Sequence, residues 1–338
     1  MDPRIVTNSL IYFDVTLTLV IPCSTSDADY FFSWFVPFLD KNHDEFKCLI
    51  VLNGSPLRSA PLKSSFERVR IISISQSLHP GEARNIALNH IQDGHIAFID
   101  SRTVVDADWL VYARDFCRRY PKSSRLGSIF FVPSRPWHIP LISSTYSFNQ
   151  IQCLPGSIIH RQAFSTAGFF LPNVLAGEDL VWIWHASAHK LLLETGMSSP
   201  LKYSLDPDKS IVFYLRKWFR NYSCTSALPF VSDVQSTFYI FFLCVSLALL
   251  SCFWNYLFAG WDQSSPFYIP FISRTVVIVS ISIYLFLRCL YLPIKKGTRL
   301  KMLARYFHLI VFFSILLDLT KLAAFLPSIF RRARGFMK

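Results

Sequence analysis

The stretch "HIAFIDSRTVVDADW", residues 95–109, decides the fold of this chain. Its opening residues are mostly apolar, which is typical of a buried strand, and the strand ends at an acid, Asp100. A polar loop follows, and the pattern predicts a helix over about 107–118. The residue two places after Asp100 is a base, Arg102. A carboxylate and a guanidinium at the exit of a buried strand predict a polar site at the edge of a sheet.

Strands and helices alternate along the chain before and through this stretch. Strands are predicted over 15–22, 46–55, 68–75 and 95–99, and helices over about 30–39, from about 81 and over about 107–118. Such alternation predicts βαβ units and an α/β fold with a mainly parallel sheet. Ligands of such sheets bind beyond the carboxyl ends of the strands, where Pro22, Asn53 and Asp100 all lie. The sequence contains no G-x-G-x-x-G or P-loop pattern, so it indicates neither a dinucleotide fold nor a phosphate-cradling NTPase.

The composition of the chain changes near residue 228. Hydrophobic residues make up 52% of the chain and charged residues 17%, and the mean hydropathy is +0.34. In soluble domains about a quarter of the residues are charged. The excess of apolar residues lies in long runs beyond residue 228. We therefore predict a globular domain at 1–228 and a membrane region at 229–338.

Three apolar segments in this region are candidate membrane helices. Segments 237–259 and 271–293 are long enough to span a bilayer. The third, 306–328, is interrupted by Asp318 and Lys321, and it is either a third span or an amphipathic helix at the interface. The residues after 294 are strongly basic and the connection between the first two segments is not, which places the globular domain in the cytoplasm. The prediction is a multi-pass protein of the plasma (inner) membrane.

The chain is basic, with a formal net charge of +12. Many of the bases flank the apolar segments and form no stripe interleaved with aromatic residues, so we predict membrane lipids and no nucleic acid as partners. These flanking bases are Lys295, Lys296, Arg299, Lys301 and Arg305, and Arg331, Arg332, Arg334 and Lys338. The eight cysteines include no C-x-x-C pair and are predicted to be small buried hydrophobic residues in a reducing compartment.

Five segments resemble family 2 glycosyltransferases with the GT-A fold, in sequence and in order. They are "LVIPCSTSD", "CLIVLNGS", "PGEARNIALNHIQDGHIAFIDSR", "LPGSIIHRQAFSTAGFF" and "AGEDLVW". The similarity covers about residues 17–222, and its most specific part is "GEARN" followed by "FID" and later by "GED" at the start of a helix. The resemblance implies a Rossmann-like GT-A domain that transfers a sugar from a nucleotide-sugar donor, in the manner of a hexosyltransferase.

The resemblance also implies roles for residues at the predicted sheet edge. Pro22 and Asn53 resemble the edge that binds the nucleoside, and Arg84 resembles a basic residue that helps to hold the donor. Many family members have an aspartate where Asn53 stands, and the asparagine amide leaves the preference for the base open. The alternative for Arg84 is a charge on the surface of a helix.

Asp100 corresponds to the first acid of the family's D-x-D metal motif, which here reads Asp100-Ser101-Arg102. An arginine cannot ligate a metal, but it can form paired hydrogen bonds with a phosphate. Two hypotheses follow. Either Asp100 alone holds Mg²⁺ or Mn²⁺ weakly, with waters and phosphate oxygens as the other ligands, or Arg102 takes over part of the role of the cation. We favour the first hypothesis.

Asp179 in "GED" matches the family's general base. This group takes the proton of the acceptor hydroxyl as the hydroxyl attacks the anomeric carbon and inverts it. The resemblance gives Glu178 the role of positioning the acceptor or orienting the base. Both acids also stand at the start of a predicted helix, where the helix dipole stabilises negative charge, so capping alone is the alternative.

The segment "FYLRKWFRNYS" belongs to a basic and aromatic helix predicted at about 210–228. It resembles a helix that lies against the donor site in membrane-bound relatives, although the family's Q-x-x-R-W sequence is not reproduced. Two interpretations stay open. Either Arg216, Lys217, Trp218 and Arg220 contact a phosphate or the acceptor, or they belong to a solvated helix that faces the membrane.

These features predict a membrane-anchored inverting glycosyltransferase with a lipid-linked or cell-envelope glycan acceptor. A catalytic domain tied to the bilayer gains effective concentration for substrates confined there. The alternative from another class is a catalytically impaired GT-A membrane protein that binds nucleotide-sugar or acts as a scaffold. Arg102 and the missing Q-x-x-R-W sequence favour this alternative, and the intact "GED" and "ARN" count against it.

Overall fold

The computed structural model describes residues 16–54, 67–193, 199–225 and 253–333. The strands are β1 (Leu17–Ser24), β2 (Lys47–Asn53), β3 (Val69–Ile74), β4 (His95–Phe98), β5 (Thr103–Val104), β6 (Arg125–Val132), β7 (Ile151–His160) and β8 (Leu201–Ser204). The helices are α1 (Ala28–Asn42), α2 (Pro80–Leu88), α3 (Ala107–Arg119), α4 (His138–Ser144), α5 (Ala163–Ala167), α6 (Glu178–Ala188), α7 (Ile211–Thr225), α8 (Arg274–Lys295) and α9 (Leu300–Ala333). The first four strands and first three helices overlap the segments predicted for them.

The eight strands form one sheet in the order β3-β2-β1-β4-β7-β6-β8-β5. β3, β2, β1 and β4 are parallel to one another, which is the arrangement that βαβ units produce. Beyond β4 the sheet is mixed, because β7 runs antiparallel to both β4 and β6, and β5 runs antiparallel to β8. The predicted α/β fold is confirmed, and its continuous parallel part occupies half of the sheet.

β1 is buried on both faces, which explains its unbroken apolar sequence. Leu19 and Ile21 belong to a core that also contains Phe31 of α1. Val20 belongs to a second core, which contains Ala83 of α2. Helices α1, α3 and α7 thus cover one face of the sheet, and α2, α5 and α6 cover the other.

The last helix, α9, packs along the globular domain. Phe313 belongs to the main buried core of that domain. The hydroxyl of Ser144 in α4 donates to the carbonyl of Ile310 at 3.2 Å, and the hydroxyl of Ser223 in α7 donates to the carbonyl of Ala324 at 3.4 Å. α9 therefore contacts the domain along most of its apolar length.

Two helices of the described residues are long and apolar enough to cross a membrane, judged by length and composition. They are Arg274–Lys295, which is α8, and Leu300–Ala324 within α9. α8 coincides with the predicted segment 271–293, and α9 contains the predicted segment 306–328. The predicted segment 237–259 lies largely outside the described residues. α8 leaves most of its apolar side chains exposed, whereas α9 buries one face against the domain.

Candidate active site

The carboxyl edge of the parallel strands brings the predicted donor-binding residues together. Ser24 at the end of β1 lies beside Asn53 at the end of β2 in the register of the sheet. β1 also pairs with β4, and Asp100 follows two residues after the end of that strand at Phe98. Pro22, Asn53 and Asp100 therefore lie along one edge, as the strand ends predict.

Arg84 of α2 lies at this edge and is only 4% exposed. Its Nη1 donates to Oε1 of Glu178 at 2.7 Å, and its Nη2 donates to Oδ1 of Asp100 at 3.1 Å. The guanidinium also lies over the ring of Phe170, with 5.5 Å between Cζ and the ring centroid. Arg84 thus joins α2, the end of β4 and the start of α6. Its burial excludes the alternative of a charge on a helix surface.

The start of α2 places Arg84 in this position. The backbone N–H of His79 donates to Oε2 of Glu82 at 2.8 Å, a contact that fixes the first turn of the helix. A Cβ on Gly81 would lie 2.9 Å from Cγ of Glu178, closer than two carbons can approach. The glycine therefore lets α2 approach α6 closely enough for Arg84 to reach Glu178.

Two adjacent acids begin α6, and their environments differ. Gly177 precedes them with a φ of +94°, a left-handed conformation that favours glycine. Glu178 is 4% exposed, and its carboxylate is paired with Arg84. Asp179 is partly exposed, and its Oδ1 accepts a hydrogen bond from the N–H of Leu180 at 2.9 Å. Asp179 is therefore the accessible acid of the pair.

The surroundings of Asp179 raise its pKa to about 6. Burial is the largest cause, and the negative charge of Glu178 raises the pKa further, whereas the positive charge of Arg84 opposes the shift. A carboxylate with this pKa is ionised at neutral pH and holds a proton more strongly than an ordinary aspartate does. Both properties suit a general base.

Arg102 is bound to two acids on other loops. Its Nη2 donates to Oδ1 of Asp27, after β1, at 2.5 Å and to Oδ2 of Asp206, after β8, at 2.9 Å. Its guanidinium also lies over the ring of Tyr30, 5.8 Å from the centroid. Because two carboxylates already balance its charge, Arg102 joins three loops of the edge and offers little free positive charge to a phosphate.

The four predicted contact residues of α7 lie in different environments. Trp218 is buried in the main core, and Arg216 and Arg220 are exposed. Lys217 is half-buried, and its Nζ lies 5.9 Å from the ring centroid of Tyr203. The structure therefore does not bring the four side chains to one place.

Tyr203 connects α7 with the sheet edge. It lies on β8, opposite Thr103 of β5. Burial raises the pKa of its phenol, and the negative charge of Asp100 raises it further, so the ring lies within electrostatic reach of that acid. Of the four predicted contact residues of α7, Lys217 is thus the one that lies over a ring of the site.

Residues 36–171 match the family model described as glycosyl transferase family 2. This segment, which is less than half of the chain, is similar to family 2 glycosyltransferases. The match includes Asn53, Arg84 and Asp100, and it ends a few residues before Asp179. No curated protein sequence matches the chain significantly.

Solved structures similar to this chain include the mannosyltransferase PcManGT from Pyrobaculum calidifontis in complex with GDP-Man and Mn²⁺. The alignment with this mannosyltransferase has a TM-score of 0.51 and 14% sequence identity, and it covers 90% of this chain and 88% of the mannosyltransferase. For S. aureus TarS 1-349 in complex with UDP, the TM-score is 0.43 and the identity 15%, over 61% of this chain and 64% of that chain. For another S. aureus TarS structure, the TM-score is 0.42 and the identity 14%, over 60% of this chain and 38% of that chain. These two alignments thus cover less than two thirds of each TarS chain. The likeness to the mannosyltransferase shows the GT-A fold.

The sheet edge offers a single carboxylate to a metal ion at the predicted D-x-D position. Asp100 is partly exposed, and its Oδ1 is paired with Arg84. In the described part of the chain, no group of three or more His, Cys, Asp or Glu side chains could hold a metal ion. One guanidinium here faces three carboxylates, those of Asp100, Glu178 and Asp179, so the charge of the cleft favours a cation. Asp100 is thus the residue of the predicted metal motif that could ligate a cation, and the net negative charge of the cleft suits one.

Three residues around the candidate site have no predicted role from the sequence: Asp27, Tyr203 and Asp206. Asp27 ends the segment "LVIPCSTSD" just beyond a strand, so the argument from strand ends could have identified it. Tyr203 and Asp206 lie on and just after β8, which has four residues and is too short for a periodic pattern to reveal.

Proposed function

We propose that the protein is an inverting glycosyltransferase that moves a sugar from a nucleotide-sugar donor to a lipid-linked or cell-envelope glycan acceptor at the membrane. The observation that carries this proposal is the charged cluster at the sheet edge, where Arg84 joins Asp100 to Glu178 beside Asp179. The cluster combines a cation for the donor, the first acid of the D-x-D motif and an acid with a raised pKa. Glycosyl transfer with inversion needs these three elements.

The donor would lie along the carboxyl edge of the sheet. Pro22 and Asn53 lie at its nucleoside end, and the amide of Asn53 can both donate and accept hydrogen bonds with a base. Lys217 supplies positive charge for the diphosphate, and Arg84 helps to hold the donor by offsetting the negative charge of Asp100 and Glu178. Arg102 holds the loops of this edge in place through its two acids.

Asp179 is the proposed general base. As the acceptor hydroxyl attacks the anomeric carbon, its proton passes to Asp179. The bond from that carbon to the donor diphosphate breaks, and the nucleoside diphosphate leaves with the bonding electrons. Attack from the face opposite the leaving group inverts the carbon. Glu178 stays paired with Arg84 and holds the start of α6 in position.

The rate of transfer should depend on the ionisation of Asp179. With a pKa of about 6, this base is protonated and inactive at lower pH and ionised at higher pH. We expect kcat/KM to rise with pH through this value and to level off near neutrality, because kcat/KM reports the free enzyme. Donor consumption measured from about pH 5 to 8 checks the prediction. A profile that stays flat over this range would contradict the assignment.

A divalent cation fits beside Asp100 together with the donor diphosphate. When bound, Mg²⁺ or Mn²⁺ would neutralise the leaving group. We expect chelation to lower turnover by about tenfold or more, and added Mn²⁺ or Mg²⁺ to restore it. Full turnover in chelator would instead assign the role of the cation to Arg102, whose pairing with Asp27 and Asp206 disfavours that role.

Several apolar side chains close to Asp179 in the chain are exposed. Leu180 follows it directly, and Trp184 lies one turn further along α6 and is 46% exposed. Leu171 and Leu175, on the loop before α6, are also exposed. An apolar surface beside the base supports an amphiphilic acceptor, which presents hydrocarbon as well as a hydroxyl group.

Replacing both Leu180 and Trp184 with serine should weaken use of a lipid-linked acceptor. Because the acceptor would lose apolar contacts, we expect its KM to rise by about tenfold or more, while hydrolysis of the donor by water stays unchanged. The matched control is Val111→Ser, an exposed apolar residue on α3. Equal losses of transfer and hydrolysis would count against an acceptor role for this surface.

We propose that α8 embeds in the membrane and that α9 lies at the interface. α9 contacts the globular domain between Ile310 and Ala324, so lipid cannot surround this segment. The exposed side chains of α9 include the basic residues Lys301 and Arg305 and the apolar residue Phe312. Exposed basic and apolar side chains on one helix are typical of a helix at the membrane interface.

The proposed location is the cytoplasmic face of the plasma (inner) membrane. The basic residues that follow α8 support this orientation by the positive-inside rule. A cysteine placed at position 338 should react with a membrane-impermeant label only from the cytoplasmic side if α9 is interfacial. Labelling from the opposite side would mean that this helix crosses the bilayer.

The second candidate function is a catalytically impaired GT-A membrane protein that binds nucleotide-sugar or acts as a scaffold. Arg102 at the D-x-D position, neutralised by two acids, favours this candidate. Nucleotide release from candidate donors, measured with and without membrane extract, separates the two. Release that requires the extract supports transfer, whereas thermal stabilisation by a nucleotide-sugar without any release supports the binding protein.

A further inference from the structure

Three basic side chains and one acid meet where α8, α9 and the end of α4 come together. The bases are Arg288 of α8, Lys296 just after α8 and Lys321 of α9, and the acid is Asp318 of α9. We call these four residues the tail cation cluster. None of them belongs to the proposed catalytic site.

Arg288 is held by the acid and by the globular domain. Its Nε donates to Oδ2 of Asp318 at 2.8 Å, and its Nη2 donates to Oδ1 of the same residue at 3.2 Å. Its Nη1 donates to the carbonyl of Ser144 in α4 at 3.0 Å. The hydroxyl of Tyr284 also donates to Oδ2 of Asp318 at 3.0 Å. Arg288 alone thus balances the charge of Asp318 and occupies both of its oxygens.

Two lysines add positive charge to this pair. Nζ of Lys321 lies 3.5 Å from Oδ1 of Asp318. Nζ of Lys296 donates to the carbonyl of Thr145 at 3.0 Å. Burial, and after it the positive charges of Arg288 and Lys321, lower the pKa of Lys296 to about 8. The three cations therefore share one electrostatic neighbourhood.

The cluster carries more positive than negative charge. Within the described ranges, Asp318 is the one acid that pairs with Arg288 and Lys321, and the hydrogen-bond partner of the Lys296 ammonium is an uncharged carbonyl. An unbalanced charge held away from water is costly. The hydroxyl of Thr145 is also buried, with no hydrogen-bond partner among the described residues. The cluster therefore offers unused donors as well as unbalanced charge.

We propose that the tail cation cluster binds the phosphate group of an amphiphile. A phosphate would bring negative charge and would accept hydrogen bonds from Lys296, Lys321 and Thr145. Lys296 lies just after the end of α8, where the apolar segment gives way to basic residues, and Arg288 lies about two turns before that end. The end of α8 is at the depth of lipid headgroups if α8 is embedded. The inference rests on the proposed membrane association and not on the proposed catalytic chemistry.

The phosphate has two possible sources, a phospholipid headgroup and a lipid-linked acceptor, and soluble lipids distinguish them. The detergent-solubilised full chain is titrated with short-chain phosphatidylglycerol, with a short-chain isoprenyl phosphate and, as an uncharged control, with an alkyl glucoside. The readout is the rise in unfolding temperature with ligand concentration. We expect stabilisation by a phosphate amphiphile and none by the glucoside. Tighter binding of phosphatidylglycerol identifies a phospholipid site, and tighter binding of the isoprenyl phosphate identifies an acceptor site.

Variants of the cluster test which residues bind. Lys296→Gln and Lys321→Gln should each weaken binding by about tenfold, because each removes one cationic donor. Lys301→Gln is the matched control, an exposed lysine of α9 outside the cluster, and it should bind as the unmodified chain does. Asp318→Asn should have the opposite effect and tighten binding, because it removes the competing negative charge. If the cluster were only a structural ion network, Asp318→Asn would not tighten phosphate binding.

Two results would overturn the proposal. One is the absence of stabilisation by either phosphate amphiphile, and the other is equal stabilisation of the unmodified chain and both lysine variants. Nucleotide-sugar binding, measured in the same samples, should be the same in all lysine variants. If the chain binds nucleotide-sugar but no phosphate amphiphile, the tail cation cluster proposal is refuted and the proposed function is not.

Discussion

Transfer activity should fall by about 10²- to 10⁴-fold when Asp179 is replaced by asparagine, which is the contribution of a positioned general base. The amide has nearly the shape of the carboxylate, and its oxygen can still accept the hydrogen bond from the N–H of Leu180, so the fold should be retained. Donor binding should also be retained, because Arg84 pairs with Asp100 and Glu178 and not with Asp179. The measurement is kcat for sugar transfer, with nucleotide-sugar affinity determined on the same protein.

Asp108→Asn is the matched control for this variant. Asp108 is exposed and occupies the second position of α3, as Asp179 does in α6. The control removes an acid from a helix start without touching the site, and it should keep full activity. Normal turnover of Asp179→Asn would refute the assignment of the base, and equal losses in both variants would point to helix capping.

Replacing Arg84 with methionine should destabilise the protein and abolish donor binding. Methionine fills part of the volume but leaves Glu178 buried without a counter-ion and Asp100 without its partner. Breaking a buried pair in this way lowers the free energy of unfolding by about 3–5 kcal/mol. Denaturant unfolding of the detergent-solubilised chain gives this quantity, and titration with nucleotide-sugar gives the loss of binding.

Combining Arg84→Met with Glu178→Gln separates stability from binding. The glutamine removes the unpaired charge, so the double variant should recover much of the lost stability. Donor binding should stay absent, because the basic side chain that pairs with Asp100 is gone. Arg161→Met, which removes an arginine that donates to a backbone carbonyl, controls for the loss of any arginine. A double variant that bound nucleotide-sugar normally would show that Arg84 does not hold the donor.

The parallel part of the sheet could be predicted because its signals are local. β1, β2 and β4 are short apolar runs that end at a turn or a polar residue, and the chain alternates them with helices. Parallel strands gather their carboxyl ends at one edge, which is why Asn53 and Asp100 could be placed there from their positions after the strands. The mixed half of the sheet has no comparable signal, because β5 and β8 have only two and four residues.

The partners within the site could not be predicted because they are distant in sequence. Glu178 is 94 residues from Arg84, and Asp27 and Asp206 are 75 and 104 residues from Arg102. Composition and periodicity describe single segments and give no information on which charges meet. The sequence could show that Arg102 replaces an acid of the D-x-D motif, but only the fold shows that two acids already neutralise it.

Hydropathy likewise could not determine the environment of α9. An apolar helix face packs equally well against lipid or against protein, and Leu300–Ala324 is as suitable by length and composition as Arg274–Lys295. The difference is that Phe313 and Ile310 contact the globular domain. Asp318, which interrupts the apolar run, pairs with Arg288 of the neighbouring helix.

The configuration of the new glycosidic bond tests the central claim most directly. Once nucleotide release has identified a donor, NMR of the anomeric proton in the product shows whether the anomeric carbon was inverted. We predict inversion, because a single displacement assisted by Asp179 brings the acceptor to the face opposite the leaving diphosphate. A product that kept the configuration of the donor would contradict a direct displacement with Asp179 as its base.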